Sequence, residues 1–339
     1  MNTSDLPEHI RLSHGGGGQE TQTLIREVFY RSFGNDILLQ AEDSALFHLN
    51  NSAHIAMTTD SYTVSPRFFP GGNIGKIAVC GTCNDLAMVG AKPCYLSCGF
   101  IIEEGFAIAE LRQIATSMAS ELSTNGCQLV TGDTKVVPRG GVDGIYINTT
   151  AVGECCFTPP PSSSSLKPGQ VLLVSGNIGS HGAVIFCHRE GIDVDSGMQS
   201  DCRSLWPVVH ALLPFQREIV AMRDATRGGI AAVLHEWADQ SETGIQIEAS
   251  SVPVQNEVQG FCEMMGFEPW HLANEGTFVL AVEAQAAQAV LDILRKHRSS
   301  AAIIGQVIAE HPQRVILQTP WGTRSFMEPP TGELLPRIC

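Results

Sequence analysis

The sequence predicts a two-domain protein of the mixed α/β (α+β) class. Its 339 residues are enough for two domains, each with its own core. Predicted strands alternate with predicted helices, and a Pro- and Ser-rich run, Thr158–Gly169, separates two such series. We therefore expect an N-terminal Gly-rich arm and helix, a first domain, a linker, a second α+β domain and a tail, over residues 1–40, 41–157, 158–169, 170–326 and 327–339.

In the first half, a helical pattern runs from about Glu20 to Phe33. Two strands follow, each carrying a carboxylate at one end. Residues 76–90 form an almost wholly apolar pattern that predicts a buried helix, interrupted by Asn84 and Asp85. Burying that carboxylate is costly unless a cap, an arginine or a cation pairs with it. The strands expected here are 42–47, 54–61, 127–131 and 144–153.

The second half reads as an α+β domain in which short apolar strands alternate with amphipathic helices. The expected strands are 171–175, 244–248, 277–282, 302–308 and 314–318. The expected helices are 181–189, 230–238, 255–265 and 284–297.

Composition excludes several classes of function. The net charge of −14 does not suit nucleic acid or anionic membranes, which select basic patches. The N-terminus has no apolar signal-peptide core, and no run of 18 apolar residues occurs, so we expect a soluble, cytoplasmic protein that does not enter membranes. Eleven cysteines, an odd number, indicate reduced thiols rather than a disulfide framework.

Five aspartates share a setting at a strand end, in a glycine turn or within an apolar helix. Oxygen ligands of this kind suit Mg²⁺ bound together with substrate phosphates. Two glycine-rich stretches, His14–Gly18 and Gly228-Gly229, offer backbone amides to a phosphate. Each aspartate alone also fits a cap or turn, and the first glycine run also fits a flexible arm. Together they favour a nucleotide–magnesium site at Asp43, Asp60, Asp85, Asp133 and Asp224.

Two other motifs are weaker. Three residues separate Gly71 from Gly75, and Ile77 follows Lys76, so the stretch is not a Walker A motif. The Cys80-x2-Cys83 and Cys94-x3-Cys98 spacings allow a zinc site, but the first pair lies in the apolar helix, where free cysteine acts as a small hydrophobe.

The last eleven residues, Pro329–Cys339, predict an extended, mobile arm. Three prolines and a glycine make a helix or a central strand there unfavourable. Such an arm reaches at most ~36 Å, enough to cross the face of a domain. Its tip is a thiol, Cys339, which is either an accident of a frayed terminus or a carried reactive group.

Ten short stretches of the sequence resemble the HypE family of hydrogenase maturation factors, and the resemblance runs from about Leu12 to Cys339. The shared stretches are HGGGG, EDSAL, TTDSY, FFPGGNIGK, CGTCNDLAMVGAKP, YLSCGFIIEEG, TGDTKVV, DATRGG, ANEG and the terminal PRIC. The wider likeness is to aminoimidazole ribonucleotide synthetase, selenophosphate synthetase and thiamine-monophosphate kinase, which lack the cysteine tail. The second cysteine of CGTC departs from the family pattern without touching the assignment.

The resemblance implies a PurM-like fold, in which the N-terminal domain binds ATP and pairs with its twin in a homodimer. It implies ATP and Mg²⁺ in a groove lined by the five aspartates, with four of them, Asp43, Asp60, Asp85 and Asp224, as metal ligands. The implied nucleotide-binding residues are His14, Gly15, Gly16, Gly17, Gly18, Asn73, Lys76, Asp133, Gly228 and Gly229.

The implied reaction takes place on the tail. The partner HypF places a carbamoyl group on Cys339, ATP drives its dehydration to a thiocyanate, and the cyanide passes to iron on a HypC–HypD complex. By the family pattern, Glu275 and Lys135 handle protons: Glu275 suits a general base if burial raises its pKa, and Lys135 serves equally well as a phosphate-binding cation. The alternatives are an ATP-dependent small-molecule kinase or synthetase with an incidental tail, and a non-enzymatic metal carrier that uses the cysteine pairs.

Overall fold

The computed structural model describes residues 18–24, 26–27, 38–41, 45–48, 54–192, 197–331, 335 and 337–339. Predictions that fall on Asp43 or on His14 to Gly17 therefore lie outside the described residues. Of the N-terminal helical pattern, the described part contains α1, Gln19–Leu24. No helix in the described stretches is long and apolar enough to cross a membrane.

The first half of the chain forms a five-stranded sheet in the order β1-β2-β7-β5-β6. All neighbours are antiparallel except β5 and β6, which are parallel. The strands are β1 (Ala45–His48), β2 (His54–Tyr62), β5 (Ala91–Glu103), β6 (Gln128–Val137) and β7 (Ile145–Cys155). A separate hairpin contains β3 (Phe68–Phe69) and β4 (Gly72–Asn73).

One face of this sheet is covered by α2 (Ile74–Met88), against which α3 (Ile108–Asn125) packs. The apolar pattern at residues 76–90 correctly predicted a buried helix, which begins two residues earlier. It begins there because the Asn73 side chain caps it, accepting hydrogen bonds from the amides of Gly75 (2.9 Å) and Lys76 (3.0 Å). Most of α2 packs into the core of the first domain, while Ala87 and Met88 at its end pack into a core of the second.

The second half forms a seven-stranded sheet in the order β14-β13-β10-β12-β8-β11-β9. Its strands are β8 (Val171–Val174), β9 (Ile219–Asp224), β10 (Gly244–Glu248), β11 (Phe278–Val282), β12 (Ala302–Ile308), β13 (Val315–Gln318) and β14 (Arg324–Phe326). Its helices are α4 (Ser180–Glu190), α5 (Trp206–Ala211), α6 (Gly229–Ser241), α7 (Asn256–Met265) and α8 (Ala287–His297).

The central strands of this sheet are buried on both faces. Along β8, Leu172 and Val174 belong to the core under α6, and the intervening Leu173 belongs to the core under α5 and α8. A strand covered on both faces needs no polar alternation, which is why the sequence shows a continuous apolar run there. The expected strand 302–308 and the expected strand 244–248 occur with those bounds.

The Pro- and Ser-rich run between the two sheets packs against the protein. It contains a short 3-10 helix, Ser163–Ser165, and its Leu166 is buried in the core under α6. Just before it, Phe157 is fully buried against Gly90. The segment that joins the two sheets is therefore fixed to both.

Candidate active site

The end of the tail lies in a groove between the two domains. The backbone amide of Thr63, just after β2, donates to the terminal oxygen of Cys339 at 2.9 Å. The His181 ring, in the first turn of α4, hydrogen bonds to the Ile338 carbonyl at 2.8 Å. The Ile338 side chain is buried in the core of the first domain. The sequence predicted an extended, mobile arm, and the last three residues of that arm, 337–339, are docked here.

Docking places the Cys339 thiol beside a cation and two carboxylates. Arg227 Nε donates to the sulfur at 3.3 Å. Burial raises the pKa of the thiol to about 11; Arg227 opposes the shift, whereas Glu275 and Asp60 add to it. In this position the group is a neutral thiol near neutral pH, and so a poor nucleophile.

Glu275 is a carboxyl group whose pKa is changed by burial. It is 3% exposed and lies in the loop before β11. Asp201 fixes this loop, because its carboxylate accepts hydrogen bonds from the amides of Glu275 and Gly276, both at 3.0 Å. Burial raises the pKa of Glu275 well above its ordinary value, and the neighbouring carboxylates, Asp224 first, raise it further. A carboxyl group tuned upward in this way suits proton transfer near neutral pH.

Asp60 lies on β2 and Asp85 lies on α2, the helix that packs on this strand. Thr58 Oγ1 donates to Asp85 at 2.8 Å, and the buried Tyr62 hydroxyl donates to Asp60 at 3.2 Å. Burial, then Asp60, then Asp85 raise the pKa of Tyr62 well above its usual value, so it remains a hydrogen-bond donor. Since Asp60 also acts on Cys339 and Glu275, these groups form one electrostatic cluster.

Asp224 ends β9, and the chain then turns into α6 through Gly228 and Gly229. Both glycines have left-handed backbone angles, with φ of 73° and 60°. A Cβ on Gly229 would lie 2.4 Å from the Trp270 carbonyl oxygen, so only glycine fits this turn. The turn presents the amino end of α6 beside the cluster, where a helix can receive a phosphate.

The predicted metal ligands do not form a preformed cage. Within the part of the chain that is described, no three His, Cys, Asp or Glu side chains lie close enough to share an ion. Mg²⁺ in nucleotide sites takes one or two carboxylates and completes its shell with phosphate oxygens and water. The oxygen donors Asp60, Asp85 and Asp224 fit that requirement. The sulfur ligands of a zinc carrier find no support here, since Cys80, Cys83 and Cys98 are buried in the core.

Two predicted nucleotide-binding residues, Asn73 and Lys76, form hydrogen bonds within the first domain. Asn73 caps α2, and its amide donates to Ser117 Oγ at 2.7 Å. Lys76 Nζ donates to the Gly71 carbonyl at 3.0 Å and lies 4.0 Å from Glu121. Their contact with a nucleotide stays a prediction.

Asp133 and Lys135 lie apart from the cluster. They form an exposed ion pair on the edge strand β6, with Lys135 Nζ 2.8 Å from Asp133. Residues in register across a sheet share a face, and Asp133 shares its row with Gly99, Asn148 and Ser61. Asp60, next to Ser61 along β2, therefore points to the opposite face, and β2 lies three strand spacings, ~14 Å, from β6. Lys135 lies two residues along β6 from Asp133, on the same face, so it too points away from the face of Asp60. Its proton-handling role beside Glu275 stays a prediction.

Sequence reasoning did not single out four residues that shape this site. They are Arg227, which holds the thiol, Asp201, which fixes the Glu275 loop, and the tail contacts His181 and Arg189. Arg227 stands within the DATRGG motif three residues after Asp224, so that motif held a signal. The others are far from the tail in sequence, and only the fold brings them to it.

Comparison with known proteins gives the same family over nearly the whole chain. The AIR synthase related protein family matches with its N-terminal domain at residues 41–155 and its C-terminal domain at residues 167–318. The carbamoyl dehydratase HypE of Escherichia coli K12 is 44% identical over 337 residues, which cover 98% of this chain and 99% of the relative.

Solved structures agree. A HypE in complex with HypF has a TM-score of 0.86 at 42% identity, over 91% of this chain and 99% of that one. A HypE in complex with ATP has a TM-score of 0.81 at 42% identity, over 97% of this chain and 99% of that one. The predicted PurM-like fold is confirmed, and the chain belongs to the HypE family of AIR synthase related proteins.

Proposed function

We propose that this chain dehydrates an S-carbamoyl group on its own Cys339 to a thiocyanate at the expense of ATP. The observation that supports this most directly is the position of the terminal sulfur, which lies against Arg227 and within the field of the buried Glu275. A carrier thiol that docks beside a carboxyl group tuned for proton transfer is what an intramolecular dehydration requires.

The proposed reaction has two steps, phosphorylation of the carbamoyl oxygen and loss of phosphate. The carbamoyl oxygen of S–CO–NH₂ attacks the γ-phosphorus of ATP and releases ADP, which converts a poor leaving group into a phosphate. The C–O bond then breaks, both N–H protons leave, and S–C≡N and inorganic phosphate remain. The protein contributes mainly positioning and electrostatics to such a phosphoryl transfer.

Glu275 is the proposed base for the N–H protons. Burial raises its pKa well above the ordinary value, which makes it a stronger base than an exposed carboxylate, and the hydrogen bonds from its loop to Asp201 fix its position. Arg227 is the proposed donor to the S-carbamoyl group, since it already holds the bare sulfur.

The nucleotide is proposed to bind across the same cluster. Its phosphates would meet the amino end of α6 at Gly228-Gly229, with His14–Gly18, Asn73, Lys76 and Asp133 as further contacts. Asp60, Asp85 and Asp224, with Asp43, would hold Mg²⁺, which neutralises charge on the transferring phosphoryl group.

A homodimer is part of the proposal. The edge strand β6 is exposed along nearly its whole length, and its apolar side chains Val130 and Val136 are 57% and 67% exposed. Tyr95 and Met57 add to the apolar surface on this sheet. An uncovered apolar edge strand is a liability in a monomer, and pairing with a second copy removes it. In such a dimer, a partner copy is the proposed source of Lys135 for the site.

The remaining partners follow from the relatives. A HypE has been solved in complex with HypF. We propose HypF as the carbamoyl donor here, and a HypC–HypD complex as the acceptor of cyanide for the iron of [NiFe]-hydrogenase. A cytoplasmic location belongs to the same proposal, since all eleven cysteines are free thiols.

The test is intact mass spectrometry after incubation with HypF, carbamoyl phosphate and ATP. We expect the Cys339 adduct to form and then to lose the mass of one water only when ATP is present. A Cys339→Ala chain should carry no adduct. An adduct that never loses water would overturn the proposal, and turnover of ATP on a free metabolite by Cys339→Ala would favour a small-molecule kinase or synthetase instead.

A further inference from the structure

We propose that the groove holding the tail is a binding site for a free C-terminal Arg-Ile-Cys peptide, and that it accepts such a peptide in trans. This rests on the function proposed above and narrows its substrate: the reacting unit is an S-carbamoyl peptide that ends at its cysteine, whether or not it is attached to this chain. Contacts to all three residues of the tripeptide support it.

The terminal carboxylate is bound first by Thr63. Its amide donates to the terminal oxygen of Cys339 at 2.9 Å, and its hydroxyl donates to the same oxygen at 3.4 Å. Two residues on, the Ser65 amide donates to the Arg337 carbonyl at 3.2 Å. The tail therefore pairs with the backbone that follows β2 through two main-chain bonds, and it turns at Arg337, where φ is 55°.

The middle residue is bound by His181. Because the Ile338 carbonyl can only accept, His181 Nε2 must carry the proton of that 2.8 Å bond. His181 Nδ1 then accepts from the Ser200 hydroxyl at 2.7 Å, and Ser200 in turn accepts from the Cys202 amide at 3.1 Å. Burial lowers the pKa of His181, which agrees with this neutral tautomer. The ring is oriented before the tail arrives.

The first residue, Arg337, is bound at both its backbone and its side chain. Arg189 donates to the Arg337 carbonyl at 3.0 Å and to the Ser65 carbonyl, so it joins the tail to its docking strand. The Arg337 guanidinium donates to Asp143 and to the Thr63 carbonyl, both at 2.7 Å. It also lies 5.6 Å from the centre of the Tyr146 ring. This is the side chain that gives the groove its sequence preference.

None of these contacts requires the peptide to be tethered. Attachment raises the local concentration of the tail to the millimolar range for a short flexible connection. A free peptide at millimolar concentration should therefore compete with the tail for the same groove.

The first experiment uses the unmodified full-length chain without ATP. The rate of Cys339 alkylation is followed by mass spectrometry of the C-terminal fragment, while a peptide Leu-Leu-Pro-Arg-Ile-Ser is added at millimolar concentration. We expect the rate to rise at least about fivefold, because a peptide at the effective concentration of the tail occupies about half of the grooves and so releases about half of the tails. A peptide with Ala in place of Arg should have little effect, and so should one with Pro in place of Ile and Asp in place of Ser. No competition, or equal competition by the Arg and the Ala peptides, would overturn the inference.

Variants of the groove give a second measurement. Asp143→Asn removes an exposed partner of Arg337 and should raise the alkylation rate about threefold. His181→Gln removes a buried bond and should raise it about tenfold. Asp292→Asn, at an exposed carboxylate that bonds Gln288 on α8, is the matched control and should leave the rate unchanged. If Asp143→Asn behaves like this control, the side-chain preference is wrong.

The third experiment supplies the substrate in trans. The full-length Cys339→Ala chain is given ATP and an S-carbamoyl Leu-Leu-Pro-Arg-Ile-Cys peptide, and the loss of one water from the peptide is measured. Dehydration that depends on the peptide's arginine supports the inference. Competition without dehydration would refute the proposed reaction and leave the binding site standing. Dehydration that ignores the arginine would refute the binding site alone.

Discussion

The protein places two acidic residues beside basic ones, the buried Glu275 near Arg227 and the exposed Asp133 beside Lys135, and the two carboxyl groups have opposite pKa shifts. At the active site, Glu275 is buried among other carboxylates, and its pKa is raised well above the ordinary value despite Arg227. On the edge strand, Asp133 is fully exposed beside Lys135, and the hydrogen bond from Lys135 lowers its pKa. The first carboxyl group therefore holds its proton to a higher pH than an exposed carboxyl group does, whereas the second is more readily ionised.

The two pairs also differ in what covers them. Glu275 and Arg227 are covered by the tail of their own chain, whose Cys339 sulfur accepts a hydrogen bond from Arg227. The Asp133 pair faces solvent on a strand whose apolar neighbours are also uncovered. The comparison predicts that the first pair acts within one chain and that the second needs a partner.

The largest effect is expected from Glu275→Gln. Removing a general base should slow dehydration of the Cys339 adduct by ~10³-fold, measured as the ATP-dependent loss of water. Retention of a tenth of the activity would exclude Glu275 as the base.

The same Glu275→Gln substitution should raise the free energy of unfolding at neutral pH, although it lowers activity. Because the folded chain keeps the Glu275 proton above the pH at which the unfolded chain releases it, the free energy of unfolding of the parent falls as pH rises past ~4.3. The Gln variant lacks this loss, so it should be the more stable protein at neutral pH in a denaturant titration. A less stable variant would contradict the assigned pKa direction.

Mixed dimers test whether Lys135 acts across copies. Lys135→Ala should be inactive because its sites lack the cation, and Cys339→Ala should be inactive because it lacks the carrier. If Lys135 serves the partner's tail, a one-to-one mixture after subunit exchange should recover about a quarter of the sites, since half the dimers are mixed and each has one complete site. A mixture as inactive as its parents would place Lys135 in its own chain's site.

Arg227→Gln should have a smaller effect of about tenfold on dehydration, the usual weight of one hydrogen bond to a charged group. Because Arg227 opposes the rise in the Cys339 pKa, its removal should shift the pH midpoint of thiol alkylation above that of the parent. Arg227→Lys keeps the charge and serves as the control. An unchanged midpoint would show that the contact does not act on the sulfur.

The smallest effect is expected from Asp133→Asn. The pair is solvent-exposed, so the chain's unfolding midpoint should not change measurably in physiological salt. A clear loss of stability would show that the pair is covered in solution, which would itself locate the dimer contact on β6.

Much of the fold was predictable because local pattern and burial agree. Helix α2 and strands β10 and β12 are long apolar or β-branched segments with clear ends. Strand β5 and helix α3 were missed, since β5 carries Lys92, Pro93 and Gly99 and only three residues of α3 are buried. The candidate site carboxylates were chosen by residue type. The separation of Asp133 from Asp60 depends on strand order and register, which single-sequence reasoning does not supply.

Helix α2 has a mechanical consequence. It packs against β2, β5 and β7 on one side and against β9 and α5 of the second domain on the other. Since α2 is nearly all buried, a hinge between the domains would have to break two cores at once. The two domains that enclose the groove are therefore held rigidly together. If Cys339 visits a donor and an acceptor as proposed, the movement must come from the end of the chain rather than from its domains.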